Sequence, residues 1–449
     1  MKKRNLWIGL IVYLSIFSLG HLWHGSIDAV QRLELTRAII FDRSVITPTY
    51  GAIKYSPLQS IVMIPPYALG YAAGRAIGEP EEGAHRVAYR FCAALYNPLV
   101  VTLICVLYFN LLLHLEVSPS LASVSTFFLL FGTLLMPYAR IMFSEPLSAL
   151  LILSSAYFFV RSRSDGDVRN RILNFVTLGF LCLNNTIFIL LYLIVYGHAL
   201  QHFYRSKMNR ELKIVGSVGL VVLFTIIGAW GVYNDARYQD PTMFGYAGEG
   251  FTTPLLVGLY GLSFSIGRGV AFYSPLTLVG IVFFLLNYHK LEGKLRATLC
   301  LYLSAALLYL LIMSRWHSFE GGWCWGPRFL LPFIPIIHIL FPLIWSRHVD
   351  YNPLIRALFF SACAFALFIN MYEFVGVWRK YEIATFESGE IPYDLSIFIP
   401  RYSALFNNWE WGSFWRRSLQ YLAVATASSY MMISFYRKRL LETRDGDGR

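Results

Sequence analysis

Apolar residues in this chain come in long runs, with polar residues gathered between them. Leu6 to Gly20, Ile214 to Trp230 and Leu358 to Asn370 each approach the roughly 20 residues that carry a helix across a bilayer. Similar runs continue to the end of the sequence. They predict spanning helices near 6–22, 90–112, 121–138, 146–160, 172–184, 186–202, 214–232, 268–287, 297–313, 329–345, 355–372 and 419–435. The expected architecture is an all-α polytopic membrane protein with about twelve transmembrane helices in one integral membrane domain, 1–449.

Two apolar stretches do not fit the count. Residues 57–73 are apolar, but Pro65 and Pro66 interrupt helical hydrogen bonding there. If they crossed, the basic stretch Arg161 to Arg171 would face outward, against the positive-inside rule. They are expected to be re-entrant or interfacial, and the Gly-rich stretch 254–267 is read the same way.

Composition supports the membrane assignment: 56% of residues are hydrophobic and 14% charged, where soluble proteins carry about 25%. The first run follows Lys2-Lys3-Arg4, and bulky His21, Trp23 and His24 follow it where a cleavage site would need small residues. It reads as a retained helix. With the N-terminus inside, the alternate loops and both tails hold 21 of the 38 Lys and Arg but nine of the 26 acids. The whole net charge of +12 then falls on the cytoplasmic side, as expected for a multi-pass plasma (inner) membrane protein with both termini cytoplasmic, and no nucleic acid is needed to explain it. Five of the six cysteines lie in apolar runs and Cys324 stands in a loop, so no disulfide framework or zinc site is suggested.

This topology puts polar, aromatic-rich loops 23–56, 139–145, 233–253, 314–328 and 373–418 on the outer face. In the first, Asp28 sits just past the first helix and shares a face of a short amphipathic stretch with Arg32 and Leu35. A carboxylate there can take a proton from an incoming hydroxyl, or it can be a helix cap or an ion partner of Arg32. Glu145 precedes Pro146 at the outer end of an apolar helix, where an acid favours the helix N-terminus. It can equally face Asp28, and two such carboxylates can tune each other or bind a divalent cation. The loop 314–328 carries Trp316, His317, Glu320, Trp323, Trp325 and Arg328. An interfacial aromatic belt accounts for some of this. The order Gly-Gly-Trp-Cys-Trp-Gly-Pro-Arg also suits close backbone approach, aromatic contact with sugar rings and an arginine fork for phosphate. Arg268 and Lys54 are further outward cations.

Five motifs in register carry a resemblance. They are Ser26-Ile27-Asp28, Lys54-Tyr55-Ser56-Pro57-Leu58, Phe143-Ser144-Glu145-Pro146-Leu147, Gly258 to Leu262 with Gly267-Arg268-Gly269, and Gly321 to Arg328. Together they resemble the GT-C superfamily of polyprenyl-phosphate-dependent glycosyltransferases, in its protein O-mannosyltransferase-like and aminoarabinose-transferase-like branch. The resemblance implies an inverting transfer of a sugar from a lipid phosphate, with Asp28 as the catalytic acid residue, Glu145 as the second acidic position and Lys54 on the donor phosphate. Arg268 and Arg328 are read as further phosphate ligands, and Trp316, His317, Glu320, Trp323 and Trp325 as sugar or acceptor contacts. The chain departs from many relatives in having Ala29 after Asp28, and Asn184-Asn185 where a basic residue is common. The metal, the sugar and the acceptor (envelope lipid, glycan or protein) stay open. The rival reading is a polytopic transporter or lipid flippase. It expects ionisable residues in mid-membrane and repeated halves, and neither is visible here.

Overall fold

The computed structural model describes residues 2–20, 26–164, 167–246, 248–347, 352–376, 378–387, 395–407 and 411–446. His24, Asp165, the chain ends and parts of the loops 23–56, 233–253 and 373–418 lie outside them. Among the described residues regular structure is helical, apart from an isolated bridge between Thr47 and Gly51. Each of the twelve expected spans overlaps a helix. Among the described residues, six helical segments are long and apolar enough to cross a bilayer alone: Glu81–His114, Thr186–Arg205, Asn209–Tyr238, Leu295–Met313, Arg328–Ser346 and Pro353–Val375.

The Glu81–His114 helix is the axis of the bundle. It packs against Lys2–Ser18, Pro119–Phe131 and Glu145–Ser164. From Glu145–Ser164 the packing passes to Val168–Asn184 and then Asn209–Tyr238, while on the other side Trp411–Gly446 lies against Pro119–Phe131, Lys2–Ser18 and Pro353–Val375.

This axial helix has 34 residues, or about 51 Å, against about 30 Å of hydrocarbon. Its first turns therefore project beyond the membrane, and that projection explains the stretch 57–73. The stretch forms Leu58–Val62 and Ile64–Ala76, folded back along the projecting turns as a helical hairpin. Small residues permit the close approach: a Cβ on Gly70 would stand 2.7 Å from Ala88 Cα, and one on Gly74 would stand 2.7 Å from Ala84 Cα. Tyr67 and His85 close the contact at 2.9 Å. The two helices have 5 and 13 residues, each fewer than the roughly 20 of a span. The second exceptional stretch contains Leu255–Ser263, nine residues and about 14 Å long, too short to span. Leu256, Tyr260 and Phe264 are exposed along it, as suits an interfacial helix.

Candidate active site

The first loop begins with the helix Ile27–Arg37. Ser26 caps it, accepting from Ala29 N at 3.2 Å, so Asp28 is free of that task. Ser60 Oγ donates to Arg32 O at 2.9 Å and Thr36 Oγ1 to Ser60 O at 3.1 Å, which ties this helix to the projecting hairpin. Asp28 is thereby held at the mouth of the bundle with its side chain 17% exposed.

Three groups converge on Asp28. Tyr55 donates its hydroxyl to Oδ1 at 2.7 Å, and Arg328 Nη1 lies 3.2 Å from Oδ2. Arg32 reaches the backbone carbonyl of Asp28 at 3.2 Å and lies over the Tyr55 ring, 4.0 Å from its centre. The ion partner of Asp28 is thus Arg328, 300 residues away, while Arg32 braces the helix and the tyrosine. Burial pushes the Asp28 carboxyl up, but the Arg328 and Arg32 charges and the Tyr55 hydroxyl outweigh it and hold it below the usual carboxylate range. Burial, reinforced by the Asp28 charge, pushes the Tyr55 hydroxyl up, so it remains a donor.

Arg328 also reaches Glu145: Nε lies 3.7 Å from Oε1. Glu145 opens the helix Glu145–Ser164, so the helix-terminus role and the neighbour role coexist. The turn before it is pinned by Asn97, whose amide donates to Tyr138 O at 3.0 Å and Phe143 O at 3.4 Å. The Phe143 ring lies under the guanidinium, 4.4 Å from its centre. Arg328 therefore stands between two carboxylates, where a divalent ion shared by them would have to sit. Among the described residues no group of three or more His, Cys, Asp or Glu gathers to hold a metal.

Lys54 lies on the adjoining wall. It forms an ion pair with Glu249, whose other oxygen is 3.3 Å from His317 Nε2. Its ammonium is 5.4 Å from the Tyr246 ring centre, and Tyr246 meets Trp316 edge to face. Backbone bonds from Thr253 N to Arg315 O and from His317 N to Gly250 O join the two loops that build this wall. His317 and Trp323 are exposed, and Trp316 and Glu320 are half-buried. Glu320 accepts from Ser318 Oγ at 2.6 Å.

Two expected site residues are buried. Arg268 is 1% exposed and paired at 2.9 Å with Glu382, itself fully buried, so in this conformation a lipid phosphate has no approach to it. Trp325 is fully buried, edge to face with Tyr273 at 5.0 Å. The glycines around it serve backbone geometry. Gly321 and Gly326 have φ of 82° and 64°, and a Cβ on Gly326 would meet Tyr273 at 2.8 Å.

No protein-family model and no curated protein sequence matches this chain. Solved structures do. The crystal structure of ArnT from Cupriavidus metallidurans bound to undecaprenyl phosphate superposes with a TM-score of 0.52 at 17% identity, over 96% of this chain and 77% of that one. The apo structure of the same protein gives the same score and identity over 76% of its length. The fold is that of ArnT. This chain therefore shares the overall fold of those two structures.

Within this ArnT-like frame, Asp28, Glu145 and Arg328 meet directly, and Lys54 stands beside them through Tyr55. Sequence reasoning assigned no role to Tyr55, Glu249 or Ser144, whose hydroxyl lies 3.4 Å from Arg32 Nη2. Tyr55 carried a usable signal, since it stands inside the motif that supplied Lys54. Glu249 lies 195 residues from Lys54 in an irregular loop and carried none.

Proposed function

We propose that this protein is an inverting glycosyltransferase that moves a sugar from a polyprenyl-phosphate donor to an acceptor hydroxyl at the outer face of the plasma membrane. The acceptor is an envelope lipid, glycan or protein. The observation that carries this reading is the Arg328 guanidinium shared between Asp28 and Glu145, with Lys54 on the adjoining wall. A candidate base and two candidate phosphate cations stand together at one end of a GT-C frame. ArnT, solved with undecaprenyl phosphate bound, supports the donor class.

The reaction follows from these groups. Lys54 exchanges Glu249 for a donor phosphate oxygen, and Arg328 turns from Asp28 to the phosphate. Loss of Arg328 lets the Asp28 carboxyl rise from its depressed state, so donor binding makes it a better base. Asp28 takes the acceptor proton and the acceptor oxygen bonds to the anomeric carbon. The bond from that carbon to the phosphate oxygen breaks on the opposite face, and the electron pair leaves with the lipid phosphate. Tyr55 keeps Asp28 aimed, and Trp316, His317, Glu320 and Trp323 offer the sugar and acceptor a polar, aromatic surface.

Orientation rests on charge. Along the helix Glu145–Ser164 the basic Arg161 and Arg163 stand 16 and 18 residues from Glu145, about 24 and 27 Å, close to the thickness of the hydrocarbon core. The positive-inside rule then turns the site outward. The test is transfer from a purified polyprenyl-phosphate sugar by the reconstituted protein, with the anomeric configuration of the product determined. Retained configuration, or lipid translocation without transfer, would refute the proposal.

A further inference from the structure

Beneath the Asp28 helix, the contact of Arg32 with Ser144 is surrounded by buried polar side chains whose hydrogen bonding is incomplete. Asn184, the last residue of Val168–Asn184, is 5% exposed. Its amide nitrogen donates to Ser148 Oγ at 2.8 Å and to Ser144 O at 3.3 Å. A backbone carbonyl only accepts, so the amide cannot be turned the other way round. Its Oδ1 is thereby left buried, with no donor among the described residues. Glu145, beside Ser144, offers Oε1 to Arg328, while its Oε2 is buried without a hydrogen bond.

Gln59 comes to the same place from the hairpin. Ser56, three residues before it, donates its hydroxyl to Leu183 O, next to Asn184. Ser60, the residue after it, holds Arg32 O at 2.9 Å. Gln59 is 1% exposed, and neither its Oε1 nor its Nε2 has a partner among the described residues. Tyr96 adds a fourth element, the axial helix. It is buried, feels the charge of Arg32, and its hydroxyl is likewise unpaired. Its neighbour Asn97 pins the turn before Glu145, which sets Tyr96 at the height of that turn.

Buried polar groups in folded proteins are paired as a rule, because an unpaired one forfeits its solvation. Five unpaired atoms on four elements, gathered about one contact at the mouth of the bundle, are completed by a polar ligand. Their chemistry describes it. Asn184 Oδ1, Glu145 Oε2 and Gln59 Oε1 only accept, and Gln59 Nε2 and the Tyr96 hydroxyl can donate. A hydroxyl both donates and accepts, so a ring bearing several hydroxyls satisfies the whole set. A carboxylate only accepts and would face three acceptors, one of them charged.

We propose that Gln59, Tyr96, Asn184 and Glu145 Oε2 bind the hydroxyls of the transferred sugar and select an uncharged sugar over a uronic acid. This rests on the transferase reading given above and names the class of sugar that the reading leaves open. The ring reaches these groups past Glu145 and Asp28, whose side chains are 11% and 17% exposed.

The test is binding to the purified full-length protein in detergent, by competition against a fluorescent polyprenyl phosphate. The competitors are polyprenyl phosphate bare or carrying glucose, mannose, arabinose or glucuronate. At least one uncharged sugar tightens binding about tenfold or more over the bare lipid, the worth of a few hydrogen bonds, and glucuronate does not. Gln59→Met is the decisive variant. It keeps the length of the side chain and removes two polar atoms that have no internal partner, so thermal stability is unchanged or higher. It weakens the sugar-bearing lipid about three- to tenfold, one hydrogen bond's worth, and leaves the bare lipid unchanged. Asn184→Leu acts on binding in the same direction, and if it does not fold, Tyr96→Phe takes its place. Lower stability of Gln59→Met, equal weakening of the bare and sugar-bearing lipids, no gain from any uncharged sugar, or a preference for glucuronate would each overturn the proposal and leave the transferase reading standing. A wild-type protein that fails to bind even the bare lipid would overturn both.

Discussion

Two arginines, Arg328 and Arg268, look alike in the sequence: each follows a glycine-containing turn and opens an apolar segment. In the folded chain they differ. Arg328 is 14% exposed and divides itself between Asp28 and Glu145 at 3.2 and 3.7 Å. Arg268 is 1% exposed and bound to Glu382 at 2.9 Å, with Gly267 O and Gly322 O as further acceptors. The first pair is reached by solvent and can exchange partners. The second is a clasp that fixes the helix Trp378–Phe386 onto the Gly-rich turn. A cation takes part in chemistry only when its counter-charge can be displaced, and burial decides that.

The sharpest way to break this comparison is at the clasp. Arg268→Ala leaves Glu382 charged and buried, and should cost about 3–5 kcal/mol of stability. Thermal denaturation of the purified variant measures it. An Arg268→Ala protein with native thermal stability but no donor binding would place Arg268 in the site after all.

Asp28→Asn should lower turnover by about 10²-fold or more while costing only the stability of the ion pair with Arg328, because asparagine keeps the shape and loses the base and its charge. Steady-state transfer kinetics provide the measure, and wild-type turnover would return Asp28 to a structural role.

Arg328→Gln should weaken donor binding about tenfold, one charge-assisted contact's worth. It should also shift the pH profile. Arg328 holds the Asp28 carboxyl low, so its removal raises that pKa and the ionised base is lost at a higher pH. The acidic limb of kcat/KM should move upward. The same sign governs stability. The Asp28 pair contributes above the unfolded pKa of about 3.9, and its contribution is lost as pH falls through the depressed folded value.

The smallest effect is expected at Glu249, a partly exposed partner of Lys54. Glu249→Gln removes an interaction of about 0–1 kcal/mol and should change donor affinity less than tenfold. A larger loss would make Glu249 a ligand in its own right.

The spans were readable in the sequence because lipid demands unbroken apolar runs, and every expected span meets a helix. The start of the Glu81–His114 helix was not readable. Residues 81–89 are too polar to look like a span, and they are helical because the hairpin beneath them offers Gly70 and Gly74 to Ala88 and Ala84. Asp28, Glu145, Lys54 and Arg328 stood out as charges in aromatic loops, and the fold brings them into one cluster. The burial of Arg268 and Trp325 depends on Glu382 and Tyr273, partners 114 and 52 positions away, and no local pattern announces such pairings.

The axial helix has one more consequence. It is one helix, with Pro98 inside it, and its first turns carry the hairpin to which Ser60 fastens the Asp28 helix. The height of the site above the hydrocarbon is therefore set by where the helix floats. Thicker or thinner bilayers tilt a spanning helix to match its apolar length. Tilt at the anchor becomes displacement at the tip, so lipid chain length acts on this site as a lever acts on its load.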